Sequence, residues 1–285
     1  MNNTLPLLLS IGAMLCWGVL YIFTSKLSRK IGPLVTLFLF QLVSIFLLLP
    51  LLPFIHQPID TKGVGAFVLL GGFSGLIWLL FLYAMKIGYV PVVVPVTNVS
   101  IPLIALFGVL FFNESFSFFK GISIMLVLIG VVLLSFDFKA IKSLQKKVIF
   151  TGVLPAFIAG LGMSFYVLIN TPLTRVYGWF NSSLLIRIGV VLLAISVIWI
   201  KRIPIKISEI PWRYVIGAAL ADTIGFAIYN IAITQGELSY VSIITSASSV
   251  VTVFLSYMFL KEKLNRIQLF GFCFSIAGII LLQLK

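Results

Sequence analysis

Ten apolar runs, each about as long as a bilayer-crossing helix, take up almost all of this 285-residue chain. A transmembrane helix requires about 20 mainly apolar residues. Runs of that kind cover 5–27, 34–55, 63–86, 90–112, 118–136, 148–170, 181–200, 214–235, 238–260 and 266–284. The chain is 61% hydrophobic and 9% charged, whereas about a quarter of a soluble domain is charged. It is built to be solvated by lipid. In lipid each backbone polar group must be satisfied internally, which leaves helices or a closed barrel. The runs are too long for barrel strands and lack their alternation. The expected fold is therefore an all-α integral membrane protein of ten transmembrane helices. The start of the chain, Met1 to Pro6, carries no basic segment, so the first run is read as a retained helix and not a cleaved signal.

The runs also repeat. Ala84–Phe136 aligns without gaps on Ala232–Leu284 at an offset of 148, with Gly88/Gly236, Thr97/Thr245, Glu114/Glu262 and Gly130/Gly278 in register. This divides the chain into two five-helix halves, 1–137 and 148–285, joined by the basic connector 138–147. Five is odd, so the second half enters the membrane from the opposite side and equivalent helices run antiparallel. Charge follows the same pattern. Connectors after odd-numbered runs hold 15 of the 20 Lys and Arg, while the other side has only Lys62, Lys120, Arg175 and Lys285; Arg187 lies inside the seventh run. The first connector (Arg29, Lys30) is basic and its repeat partner (Arg175) is poor. The second is poor and its partner (Lys201, Arg202, Lys206, Arg213) is basic. The positive-inside rule then places the odd connectors in the cytoplasm and both termini outside. The net charge of +13 sits in these short connectors, where it contacts anionic headgroups and not nucleic acid.

Several chemistries find no support. There is no G-x-x-x-x-G-K-[ST] loop to cradle ATP phosphates, and no H-E-x-x-H. The single histidine, His56, lies in a connector and cannot build a metal cluster. Seven scattered acids do not supply an enzyme's acid–base pair. No metal, cofactor or enzymatic activity is expected. Cys16 and Cys273 fall inside apolar runs and are read as two apolar thiols, not a disulfide. The small-residue clusters Gly71/Gly72/Gly75 and Ala156/Ala159/Gly160/Gly162 let helices approach closely.

The residues that cost most in a membrane carry the most information. Asp222 falls near the middle of the eighth run and Arg187 inside the seventh; charge at that depth costs several kcal/mol. Asp222 is either a proton or cation site or one half of a structural ion pair with Arg187. Its position in the first half is Ser74, so any central cavity is electrostatically lopsided. Pro91, Pro95 and Pro102 break the fourth run, and broken backbone survives in a membrane only against protein or a wet cavity. The ninth run has no proline but is rich in hydroxyls: Ser242, Thr245, Ser246, Ser248, Ser249, Thr252 and Ser256. These either line a cavity or bond back to their own helix. Asn98 favours the cavity, as do Trp17 and Tyr229 (beside Asn230), each of which needs a polar partner. Glu114 and Glu262 either cap the helix that follows or pair with nearby lysines.

Tyr83 to Gly88, the three prolines, Phe111 to Glu114 and Gly130 resemble the EamA-type domains of the drug/metabolite transporter superfamily. So do Tyr229, Gly236, Phe259 to Glu262, Gly271 and Gly278. Met14 to Gly18 resembles the opening Trp-Gly signature of the same family. The resemblance implies ten helices in two inverted repeats, with a central cavity from helices 1, 3, 4, 6, 8 and 9 and with helices 5 and 10 at the periphery. It implies a secondary transporter of the cell (inner) membrane, an exporter of a small amphipathic solute such as an amino acid, metabolite or cationic drug. Substrate contacts would fall to Trp17, Tyr83, Asn98, Tyr229, Asn230, Thr245 and Ser249, and proton or cation coupling to Asp222 and Arg187. The expected assembly is a monomer or homodimer among membrane lipid. The alternative is a lipid or lipid-linked sugar flippase, or a structural membrane subunit.

Overall fold

Helices form where the apolar runs are continuous. A computed structural model describes residues 4–88, 93, 96–134, 152–248, 250–252, 254–255 and 266–282. Its helices are α1 (Thr4–Ile31), α2 (Pro33–Leu48), α3 (Thr61–Ile87), α4 (Ser100–Phe112), α5 (Phe118–Leu134), α6 (Val153–Tyr177), α7 (Trp179–Ile200), α8 (Trp212–Gln235), α9 (Leu238–Ser246) and α10 (Arg266–Leu281). No strand occurs among the described residues. α1, α2 with the 3-10 turn that continues it to Leu51, α3, α6, α7 and α8 are each long and apolar enough to cross a bilayer; α4, α5, α9 and α10 are shorter apolar helices. The connector 138–147, Pro91, Pro95, Ser249, Ser256 and Glu262 lie outside the described residues.

Local chemistry sets the helix ends. Gly32 (φ 85) joins α1 to α2, and Gly178 (φ 89) joins α6 to α7. A left-handed residue costs glycine nothing, so each half turns from its first helix to its second on one residue. Asp60 caps α3 by accepting from the Gly63 N–H at 2.7 Å. That N–H, with the Tyr177 hydroxyl, holds the Asp60 carboxyl below the usual carboxylate range. Glu114 does not cap the helix that follows it. The Ser117 hydroxyl oxygen takes that place at the start of α5, accepting from the Lys120 N–H at 3.2 Å.

Packing between the halves comes in matched pairs. α1 lies on α8 and α6 on α3; α3 lies on α7 and α8 on α2; α1 lies on α9 and α6 on α4. α5 and α10 pack chiefly on each other, and neither reaches the central cavity. Large apolar side chains such as Trp199 (81% exposed) and Leu69 (77%) point outward, toward the lipid tails. Lipid removes the hydrophobic drive for one helix to bury against another, so close backbone approach and polar contacts hold the bundle together. α3 and α7 touch at Gly71 and Gly189: a methyl on Gly189 would lie 2.9 Å from the Gly71 Cα. Gly160 brings α6 against the chain at the head of α4, where a methyl would lie 2.6 Å from the Thr97 carbonyl oxygen.

Candidate functional site

Two broken helices build the centre of the molecule. The fourth run turns at Asn98–Val99 before α4 begins, and the turn is tightened by i→i+3 bonds, Val99 N–H to Val96 C=O at 3.3 Å and Ile101 N–H to Asn98 C=O at 3.0 Å. Pro102 lacks the N–H that would have reached Asn98 in a regular helix. The ninth run breaks at the matching place without a proline. Ala247, at the offset of 148 from Val99, donates to Ile244 C=O at 3.2 Å, and Val250 donates to Ala247 C=O at 2.9 Å. Proline marks one break; the other forms without it.

Between the breaks lies a partly open cavity of about 120 Å³. Its walls are mated across the repeat: Ser74 with Asp222, Trp78 with Phe226 and Phe81 with Tyr229 on α3 and α8. On the broken helices, Thr97 pairs with Thr245, Asn98 with Ser246 and Ser100 with Ser248. Trp17 and Tyr21 from α1 and Tyr166 from α6 complete an aromatic surround. The Trp17 and Tyr229 rings are 5.2 Å apart. Three polar atoms of this wall have no protein partner: Asn98 Nδ2, the Tyr166 hydroxyl and Ser242 Oγ. Buried polar groups are normally bonded, so these three are unpaired donors and acceptors lying just beneath the cavity surface.

Asp222, near the middle of α8, lines the cavity, and Arg187 of α7 stands behind it. Arg187 donates to Asp222 Oδ2 at 2.8 Å, to the Asp222 carbonyl at 3.2 Å and to Ser183 C=O at 2.6 Å. Its guanidinium also sits 5.0 Å from the centre of the Phe226 ring. Gln41 donates to the same Asp222 oxygen at 3.3 Å. Gln41 and Arg187 are each eight residues beyond the first residue of their helix, Pro33 and Trp179. These two residues, 146 apart and so two short of the repeat offset, thus converge on one carboxylate, a relation hidden in the sequence by the shifted register and by one being neutral and the other charged.

Of the residues read as substrate contacts, the structure brings Trp17, Asn98, Tyr229 and Thr245 to the cavity. Ser249 lies outside the described residues. Tyr83 is 48% exposed on the outer surface of α3 and lines no part of the cavity; it falls two residues beyond Phe81, on another face of the helix. Asn230 is fully buried beside the cavity. It donates to Ser182 and Ser183 at 3.2 and 3.1 Å and accepts from Asn170 at 3.3 Å, so its amide joins α6, α7 and α8. Among the described ninth-run hydroxyls, two do both things open to them. Thr245 and Ser246 line the cavity while donating to Val241 and Ile243 carbonyls. Tyr21, Trp78, Phe81, Tyr166 and Phe226 were not singled out as contacts, although the offset of 148 from Tyr229 leads directly to Phe81 and thence to the Trp78/Phe226 pair.

A model of the EamA-like transporter family matches residues 4–136 and again 146–284. An uncharacterised protein of Methanocaldococcus jannaschii is 32% identical over 137 residues, which is 96% of that protein and 48% of this chain. That relative has the length of one repeat. A solved crystal structure matches 98% of this chain and 97% of its own, with a TM-score of 0.75 at 17% identity, a likeness of fold. The tandem match, the helical repeats and the shared central cavity place this multi-pass membrane protein in the EamA-like transporter family.

Proposed function

We propose that the protein is a secondary active exporter of a small amphipathic organic solute, working in the cell membrane by alternating access. The observation that carries the reading is a central cavity walled in mated pairs by both repeats, with one acid in its wall. Rocking one half against the other around such a cavity exposes it to each side in turn. The aromatic surround suits an apolar body, and the unpartnered Asn98, Tyr166 and Ser242 atoms suit a polar end. An amino acid or a drug-sized amine has that character. Asp222 is the coupling group of this proposal. A proton or cation arriving from the cavity competes with Arg187 for the carboxylate, and loss of that bond frees α7 from α8.

Purified protein in proteoliposomes tests this directly. Solute accumulation should require an imposed proton or cation gradient, and Asp222→Asn should lower the gradient-driven component by roughly 5- to 150-fold, the usual span of a coupling free energy. Unchanged accumulation in that variant would remove Asp222 from the mechanism; gradient-independent movement of lipid in place of solute would overturn the transporter reading.

The contact residues are tested by binding. A solute found by thermal shift, which needs no prior guess, should bind about tenfold more weakly to Trp17→Ala, a loss of about 1.4 kcal/mol. Tyr83→Ala should leave the shift unaltered. Equal losses in both variants would place the solute elsewhere.

A further inference from the structure

The Glu114 carboxylate lies at the end of α4 in the first half, yet it is bonded to the start of α9 in the second. One oxygen accepts from the Leu238 N–H, and the other accepts from the Ser239 N–H (3.1 Å), the Ser239 hydroxyl and Lys120 Nζ (3.4 Å). A helix begins with N–H groups that have no partner within it. Glu237, the residue at the cap position of α9, makes no capping bond with its own side chain. Its carboxylate instead accepts from Lys120 Nζ at 2.9 Å. Two details of the first half create the seat. Asn113 takes the left-handed conformation (φ 53) and turns the chain back over α4. Gly108 has no side chain, and a methyl there would overlap the Glu114 carboxylate. Beside this contact, Arg175 of α6 donates to the Ile233 and Gly236 carbonyls and lies 5.3 Å from the centre of the Phe112 ring. The two halves are thus tied at the end of the bundle where α4 stops and α9 starts.

The repeat does not reproduce this set of groups. At the offset of 148, Glu262 keeps the carboxylate, but Ser256 stands for Gly108, Gln268 for Lys120 and Pro91 for Ser239; Tyr89 stands for Glu237. Going from Glu114 to Glu262, the second set loses the open seat over a glycine and both the N–H and the hydroxyl of a serine, and its lysines are the flanking Lys261 and Lys263 in place of Lys120.

We infer that Glu114 is an inter-repeat latch: its carboxylate caps α9 and holds the cavity shut on the Glu114 face, and opening toward that face requires this cap to break. The inference rests on the alternating-access reading above. The same bond positions α9, whose Ser242 lies one turn beyond Ser239 in the cavity wall.

Cysteine labelling tests the latch without any substrate. In a Cys16→Ser, Cys273→Ser background, Ser242→Cys puts one thiol in the cavity. A membrane-impermeant maleimide is then applied to each face of oriented proteoliposomes. Glu114→Gln keeps the shape and removes the charge. It should raise the labelling rate from the Glu114 face about tenfold, the effect of losing charge-assisted bonds that favour one state, and lower it from the opposite face. Lys120→Gln should shift both rates in the same directions by less, and it serves should Glu114→Gln fail to fold. No change from the Glu114 face, or an equal rise from both faces, would overturn the inference, the latter because it marks a loosened bundle. Labelling does not depend on transport, so failure of wild-type accumulation would sink the transporter reading alone.

Discussion

Replacing Arg187 with leucine should destabilise the protein by about 3–5 kcal/mol, the cost of leaving a buried charge without its partner. Arg187 is 2% exposed and Asp222 3%, so each relies on protein partners far more than on water. The loss should appear as a large drop in the thermal or denaturant midpoint of the detergent-solubilised protein. The double variant Arg187→Leu, Asp222→Asn should recover most of it, because removing both charges also removes the desolvation cost. If the single variant melts like the wild type, the Gln41 bond alone satisfies Asp222 and the α7–α8 joint is not what the 2.8 Å contact makes it.

Gly71→Leu should be comparably damaging, while Gly72→Leu, one residue away, should be tolerated. A Cβ on Gly71 would meet backbone atoms of α7, the Ile186 carbonyl and, at 2.9 Å, the Gly189 Cα; a Cβ on Gly72 meets nothing within 4 Å. Overpacking of a well-filled site costs about 1–3 kcal/mol, and a clash with backbone cannot be relieved by a rotamer change. α3 must then move off α7, carrying Ser74, Trp78 and Phe81 out of register in the cavity wall. Folded yield and melting midpoint of the two variants provide the check. Equal behaviour would mean that the crossing of α3 and α7 is looser than this contact.

The polar residues of the site were legible to the extent that lipid makes polarity costly. Asp222, Arg187, Asn98 and Thr245 stood out because a polar group at membrane depth must have a reason. The same criterion misplaced Asn230, whose reason is a hydrogen-bonded joint with Asn170, Ser182 and Ser183. A buried amide with partners and one facing a cavity look alike in sequence. Tyr83 was misplaced for a geometric reason: each residue turns a helix by about 100°, so two positions separate a cavity-lining Phe81 from a half-exposed Tyr83. Aromatic walls such as Trp78 and Phe226 could be reached only through the repeat offset, since in a chain with 26 phenylalanines an aromatic facing lipid and one facing a cavity have the same neighbours along the chain.

Glu114 shows the division most clearly. Its recurrence as Glu262 was plain in the sequence, and so was its closeness to Lys120. Which helix it caps was not, because the answer lies 124 residues away at Leu238. The sequence by itself determined that this chain crosses a membrane repeatedly, that it is two copies of one unit, and that an acid sits deep in the second. Those properties follow from hydropathy and spacing, which act locally along the chain. Only the tertiary structure decided that Gln41 and Arg187 share Asp222, that both broken helices turn at mated positions, and that one repeat caps a helix of the other. In lipid, backbone bonds are satisfied within each helix, so the contacts that discriminate one arrangement of helices from another are few, polar and distant in sequence.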